Sequence, residues 1–151
     1  MTMKRVIRLL GLCFSTWVML AVAPVPAVAQ NAVADSLFQD LGGKDGIKQI
    51  VGDFLPIVLN DVRIKKKFDD IDIDHLAKRL TEQFCEVSGG PCQYSGKDMK
   101  TIHADLGISN AQFNALVEDL QLAMEKHDVP SRVQNKLLAK LAPMQHSVVT
   151  K

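Results

Sequence analysis

Large aromatic side chains are scarce in this chain, which has one tryptophan, one tyrosine and six phenylalanines among 151 residues. A core with so few must be filled by leucine, isoleucine, valine and methionine. Strand patterning is also missing. After Gln30 no useful stretch alternates apolar and polar residues, so a sheet protein is excluded. Of the three cysteines, Cys85 and Cys92 alone lie beyond the first 29 residues. No second cysteine or histidine pair stands at ligand spacing, which argues against a zinc site. Nor does positive charge dominate, since 18 basic residues face 17 acidic ones for a net +1.

The first residues have the layout of a secretory signal peptide. Lys4, Arg5 and Arg8 form a positive head, Leu9 to Ala23 an apolar run, and Ala27-Val28-Ala29 a small-residue cleavage pattern before Gln30. The run is shorter than the roughly 20 residues a membrane-spanning helix needs. Cys13 follows Leu12, where a lipidation signal wants a small residue. We therefore expect residues 1–29 to be removed and residues 30–151 to form one domain in an exported, periplasmic protein. Cleavage removes three of the 18 basic residues and none of the 17 acidic ones, leaving 15 against 17, a net charge of −2. No basic field remains for nucleic acid or anionic lipid, and no membrane partner is expected after cleavage. Export carries Cys85 and Cys92 into an oxidising space. Seven residues apart around Ser88-Gly89-Gly90-Pro91, they either close a small disulfide loop or stay as free thiols.

Helical spacing recurs instead. Asp35 to Leu41 reads as a short helix stopped by Gly42-Gly43. From Asp45, Ile47, Ile50, Val51, Phe54, Leu55 and Val58 form one face, with Pro56 predicted to kink the helix rather than break it. Ile64 to Asp70 reads as a connection, its lysines solvated and Phe68 pinned inward. Ile73, Leu76, Leu80 and Phe84 mark the next helix, started at Asp70 or Asp72 and ended at Gly89-Gly90-Pro91. Ser109 and Gln112 form a capping box ahead of Phe113, Leu116, Val117, Leu120 and Met124. Pro130-Ser131 opens the last helix, faced by Val133, Leu137, Leu138 and Leu141, and the tail to Lys151 is expected to fray. The fold class is all-α.

One further stretch, Asp98 to Ile108, holds the chemistry. As a short helix it puts Met99, Ile102, His103 and Leu106 on one side, and Lys100, Thr101 and Asp105 on the other. An imidazole on an apolar face needs a partner, because an unpaired buried polar group costs about 1–3 kcal/mol. A hydrogen-bonding neighbour or a metal would each serve. The surrounding leucines and methionines likewise fit either a packed bundle or a slot for a flat apolar cofactor.

The ordered set Leu37-Phe38-Gln39-Asp40-Leu41-Gly42-Gly43, Phe68, Gly89-Gly90-Pro91, Tyr94-Ser95-Gly96-Lys97-Asp98-Met99, His103 and Leu106-Gly107-Ile108-Ser109 resembles the group 1 truncated hemoglobins. The match runs from Ser36 to Met144. The resemblance implies a two-over-two helical sandwich around heme b, with the iron held by His103. The second imidazole nitrogen would then donate to a carbonyl one turn back, that of Met99. By the same resemblance Phe68 packs on the heme face, Phe54 stands beside the distal pocket, and Phe84, Met99, Ile102 and Leu106 form its wall. Arg79 either reaches a heme propionate or is solvated. His75, His127 and His146 are expected at the surface.

The chain departs from the family where many relatives set a tyrosine and glutamines over the iron. Leu55, Leu76 and Leu80 stand there instead. Losing a hydrogen bond worth about 0.5–1.5 kcal/mol should weaken dioxygen binding roughly twofold to tenfold. Ready oxidation of the iron and relatively better binding of carbon monoxide or nitric oxide should follow. The leading reading is a heme protein binding dioxygen, nitric oxide or carbon monoxide in oxygen or nitric oxide handling, with a reductase as electron donor. The alternatives are a nitric oxide dioxygenase-like or weakly peroxidase-like enzyme, and, from another class, a heme-free helical interaction module.

Overall fold

Helical periodicity becomes α-helices joined by tight turns in the computed structural model, which describes residues 37–151. The expected leader with its cleavage site, and Asp35 and Ser36 of the first expected helix, lie outside the described residues. Helix α1 covers Leu37–Asp40 and α2 Gly43–Asn60. A 3-10 turn at Lys65–Lys67 leads to α3, Ile73–Val87. Then come α4, Met99–His103, α5, Asn110–Lys126, α6, Ser131–Leu141, and α7, Gln145–Val148.

Each start has a local cause. The Asp72 carboxylate accepts from the His75 N–H at 3.0 Å and begins α3. Ser109 and Gln112 form the reciprocal capping box that begins α5. Helix α2 passes through Pro56 without breaking and buries Ile47, Ile50, Val51, Phe54, Leu55 and Val58, the face read from the sequence. It packs on α5 along one side and α3 along another, while α6 covers α3 and α5. Ile47, Ile50, Val58, Met124 and Leu137 are almost wholly enclosed. Each such side chain contributes about 1.5–3 kcal/mol of burial free energy. Aliphatic residues and methionine thus do fill the interior.

The choice left open at the cysteines is decided: Cys85 and Cys92 are bonded, their Cα atoms 5.7 Å apart. The loop they close lies tightly under α1. The Phe38 N–H donates to Ser88 O at 3.1 Å. A Cβ on Gly90 would come within 2.4 Å of the Phe38 ring and 2.7 Å of Cys85 Sγ, so only glycine fits there.

Three expectations need correction, and one holds with an addition. The tail does not fray: α7 forms, and the N–H groups of Thr150 and Lys151 donate to Ile108 O at 2.9 and 3.1 Å. Lys67 is not solvated but half-buried, its ammonium on backbone carbonyls of the segment after α4. His127 is not a free surface group, since its Nε2 lies 2.8 Å from Asp53 Oδ2. His75 is exposed as expected, yet it stands at the edge of a large cavity.

The sequence reading also passed over Asp119, which is 2% exposed on α5 with Oδ2 unpartnered. Burial, and then the nearby Asp61 carboxylate, push its acid upward from the ordinary range.

Opening the Cys85–Cys92 bond should lower unfolding free energy by about 2–3 kcal/mol, the chain-entropy value for so short a loop. Urea unfolding of the Cys85→Ser/Cys92→Ser chain tests this. An unchanged midpoint would show that the loop is held without the bond.

Candidate functional site

Helix α4 has only five residues, too few to persist unaided. Its start is fixed by Asp98, whose carboxylate accepts from the Thr101 N–H at 2.9 Å and the Thr101 hydroxyl at 2.6 Å. These bonds, the hydroxyl's first, hold the Asp98 carboxyl below the usual carboxylate range. None of the five residues is fully buried, and Ile102 is 40% exposed. The apolar face of this helix looks onto a cavity, and α4 also packs beside α7.

His103 is set within that face. Its Nδ1 lies 2.7 Å from Met99 O, one turn back. A carbonyl can only accept, so Nδ1 carries a proton, and in the neutral ring Nε2 keeps its lone pair. The ring lines a cavity of about 480 Å³ enclosed by α2, α3, α4, α5, α6 and α7. The ring also lines a smaller space of about 180 Å³, together with Phe68, Leu106 and Phe113. A volume of this size matches ligand sites of cofactor dimensions.

The structure brings ten of the eleven expected residues to these two cavities. Phe54, Leu76, Arg79, Leu80, Phe84, Met99, Ile102 and His103 line the larger one. Phe68 and Leu106 line the smaller. Leu55 does not join them. One residue along α2 from Phe54, it is turned by about 100° and packs into the core at 4% exposure.

Polar groups gather at the edge. The Arg79 guanidinium donates to Glu82 Oε2 at 2.8 Å, to His75 Nε2 at 3.3 Å and to the Ser95 hydroxyl. Ser95 in turn donates its hydroxyl to Glu82 at 2.8 Å. That hydroxyl and then Arg79 lower the Glu82 carboxyl from its ordinary value. Tyr94 donates to Lys97 O at 3.0 Å, and burial raises its phenol. Lys97 also lines the cavity.

Several wall residues escaped the sequence reading, Gln83 and Lys67 among them. Gln83, 8% exposed, turns its amide to the thioethers of Met99 and Met144 at 3.3 and 3.6 Å. Its place one residue before Phe84 on α3 was the available signal. Lys67 lines the smaller space, and nothing in a run of three lysines marks which one turns inward. Among the described residues no group of three or more His, Cys, Asp and Glu side chains is placed to hold a metal ion.

A family model described as bacterial-like globin matches residues 36–150. The group 1 truncated hemoglobin of Tetrahymena pyriformis is 33% identical over 101 residues, 67% of this chain and 84% of that protein. The one of Mycolicibacterium paratuberculosis is 28% identical over 80% of this chain and 89% of its own. The crystal structure of the Tetrahymena pyriformis truncated hemoglobin in its Fe(III) form superposes with a TM-score of 0.74 at 30% identity, covering 76% of this chain and 98% of the other.

Carboxyls depressed in the folded state stabilise it above their unfolded pKa and lose that effect as pH falls through the folded value. Asp98 and Glu82 are both of this kind. Acidification below the ordinary carboxylate range should therefore loosen α4 and the cavity edge. Asp98→Ala should lower the denaturation midpoint at pH 7 and flatten its fall toward pH 3, followed by circular dichroism. An undiminished fall would show that the Asp98 cap does not carry the acid sensitivity.

Proposed function

The chain belongs to the bacterial-like globins and, among them, to the group 1 truncated hemoglobins, and from that premise we propose that it carries heme b on His103 and binds small diatomic gases in an apolar pocket. The observation that carries this reading is the 2.7 Å bond between His103 Nδ1 and Met99 O. In the neutral ring it selects the tautomer with Nε2 unprotonated, which is the form an iron requires.

The remaining residues fit the same group. Its flat hydrocarbon ring matches a cavity walled by Phe54, Leu76, Leu80, Phe84, Met99 and Leu120. Its acidic edge matches the basic residues His75, Arg79 and Lys97 where that cavity meets solvent. Arg79 is already paired with Glu82, so a propionate there would compete with that carboxylate. Phe68 and Leu106 would enclose the side that carries His103. When bound, the ferrous heme supplies reversible coordination of dioxygen, nitric oxide or carbon monoxide.

What this chain adds is an unusually plain pocket. Leu76 and Leu80 face the cavity and offer no proton. Leu55, withdrawn into the core, leaves that position equally without a donor. Bound dioxygen, which gains from a hydrogen bond, is held less firmly than carbon monoxide or nitric oxide, which gain less. A reductase that would keep the heme ferrous is the expected partner. The role we propose is oxygen or nitric oxide handling outside the cytoplasm. The leader pattern and the Cys85–Cys92 bond both favour an oxidising compartment. No helix among the described residues is long and apolar enough to cross a membrane.

Two measurements test the reading. Hemin titrated into the purified chain should give a Soret band with one-to-one stoichiometry, and His103→Ala should abolish stable retention. A chain that stays colourless would leave only the heme-free module. Leu80→Gln should slow dioxygen dissociation twofold to tenfold, the worth of one hydrogen bond. An unaltered rate in stopped flow would place Leu80 away from the bound gas.

A further inference from the structure

The proposed iron ligand stands on a helix that ends with it, α4 closing at His103. Beyond it the chain makes one more turn, in which the Leu106 N–H donates to His103 O at 3.1 Å, and then Gly107 takes a left-handed φ of +57°. The carbonyls of Leu106 and Gly107 lie beyond the end of α4, with no further helical N–H to donate to them. Uncapped carbonyls at a helix C-terminus attract a cation.

Lys67 supplies one from 39 residues away, its ammonium donating to Leu106 O at 2.6 Å. A longer contact of 3.4 Å reaches Gly107 O. Its neighbours in the turn, Lys65 and Lys66, are exposed, whereas Lys67 is half-buried and lines the same small cavity as His103, Phe68 and Leu106. A lysine stem carries its charge to these carbonyls along an apolar wall. A charge-assisted bond of this length is about twice as strong as a neutral one.

We propose that Lys67 is a positioning residue for His103, clamping the turn that follows it and holding a positive charge on the ligand's side of the pocket. This rests on the heme reading above. The ring is then held from two directions: Met99 O accepts from its Nδ1–H, and Lys67 fixes the turn that follows its backbone. A cation on this side of the pocket also disfavours the ferric charge. Without it the ring should swing over a wider range, the iron should be easier to oxidise, and heme should leave faster.

Four variants separate this from a general effect of lost surface charge. Lys67→Met keeps the stem and removes the charge, Lys67→Gln keeps a neutral donor, Lys67→Arg restores charge and donor, and Lys66→Met is the control. The readouts are the iron–histidine stretching band of the unligated ferrous protein by resonance Raman, the midpoint potential, and hemin transfer to excess apomyoglobin. Lys67→Met should shift the band, lower the potential and speed hemin loss roughly tenfold, the equivalent of one charge-assisted hydrogen bond. Lys67→Gln should fall between, and Lys67→Arg and Lys66→Met should match the parent. Should Lys67→Met not fold, Lys67→Gln against Lys67→Arg gives the same comparison. A folded Lys67→Met with parental band, potential and hemin loss overturns the proposal, as does an equal change in Lys66→Met. A parent chain that takes up hemin without an iron–histidine band counts against the ligand assignment instead. In that case hydrogen exchange at the Leu106 amide of the heme-free chain still reports the clamp: faster exchange in Lys67→Met supports it and equal exchange refutes it.

Discussion

A single hydrogen bond, from His103 Nδ1 to the Met99 carbonyl at 2.7 Å, sets the terms for everything around it. It determines which nitrogen holds the proton, and therefore which one is free to act as a base toward the cavity. The bond spans the length of α4, so it exists only while that five-residue helix does. Such a helix is not self-sustaining. Its persistence is delegated to groups elsewhere: Asp98 at its start, Lys67 on the turn after it, and the chain near Thr150 paired with Ile108 just beyond. The ligand of the proposed iron is thus a junction of three distant parts of the sequence.

The cavity beside it obeys a different constraint. Four long helices can bury their faces against one another, as α2 does on α3 and α5. Where Phe113, Leu116, Leu76 and Ile102 look inward they meet a space instead. With few ring side chains available to fill it, the wall is mostly aliphatic, and its charged groups are Asp70, Asp72, Arg79 and Lys97. An apolar wall with a charged lip suits an amphiphilic disc and suits little else of that size.

Local periodicity and capping chemistry made most of this legible in the sequence. The all-α class, the inward face of α2, the Ser109–Gln112 box and His103 on an apolar stripe each depend on residues within a turn or two of one another. The failures share the opposite property. Lys67 looked solvated because the carbonyl it binds is 39 positions away. The tail looked loose because its partners, on Ile108, are main-chain groups that no side-chain pattern advertises. Leu55 and Phe54 are adjacent on a helix buried on several sides, so hydrophobicity alone cannot say which looks at the cavity and which at the core. Asp119 drew no expectation because an acid between Glu118 and Leu120 has no local reason to be enclosed. The family resemblance supplied the role of His103, which spacing alone had left between a ligand and an ordinary core histidine.

The shortage of rings has an optical consequence. The one tryptophan, Trp17, belongs to the leader expected to be removed, and the one tyrosine, Tyr94, lines the larger cavity. A processed chain would have a single fluorophore of useful strength, and it would sit where the cofactor goes. Its emission should then be extinguished by energy transfer the moment a porphyrin settles beside it, so this protein carries its own occupancy gauge.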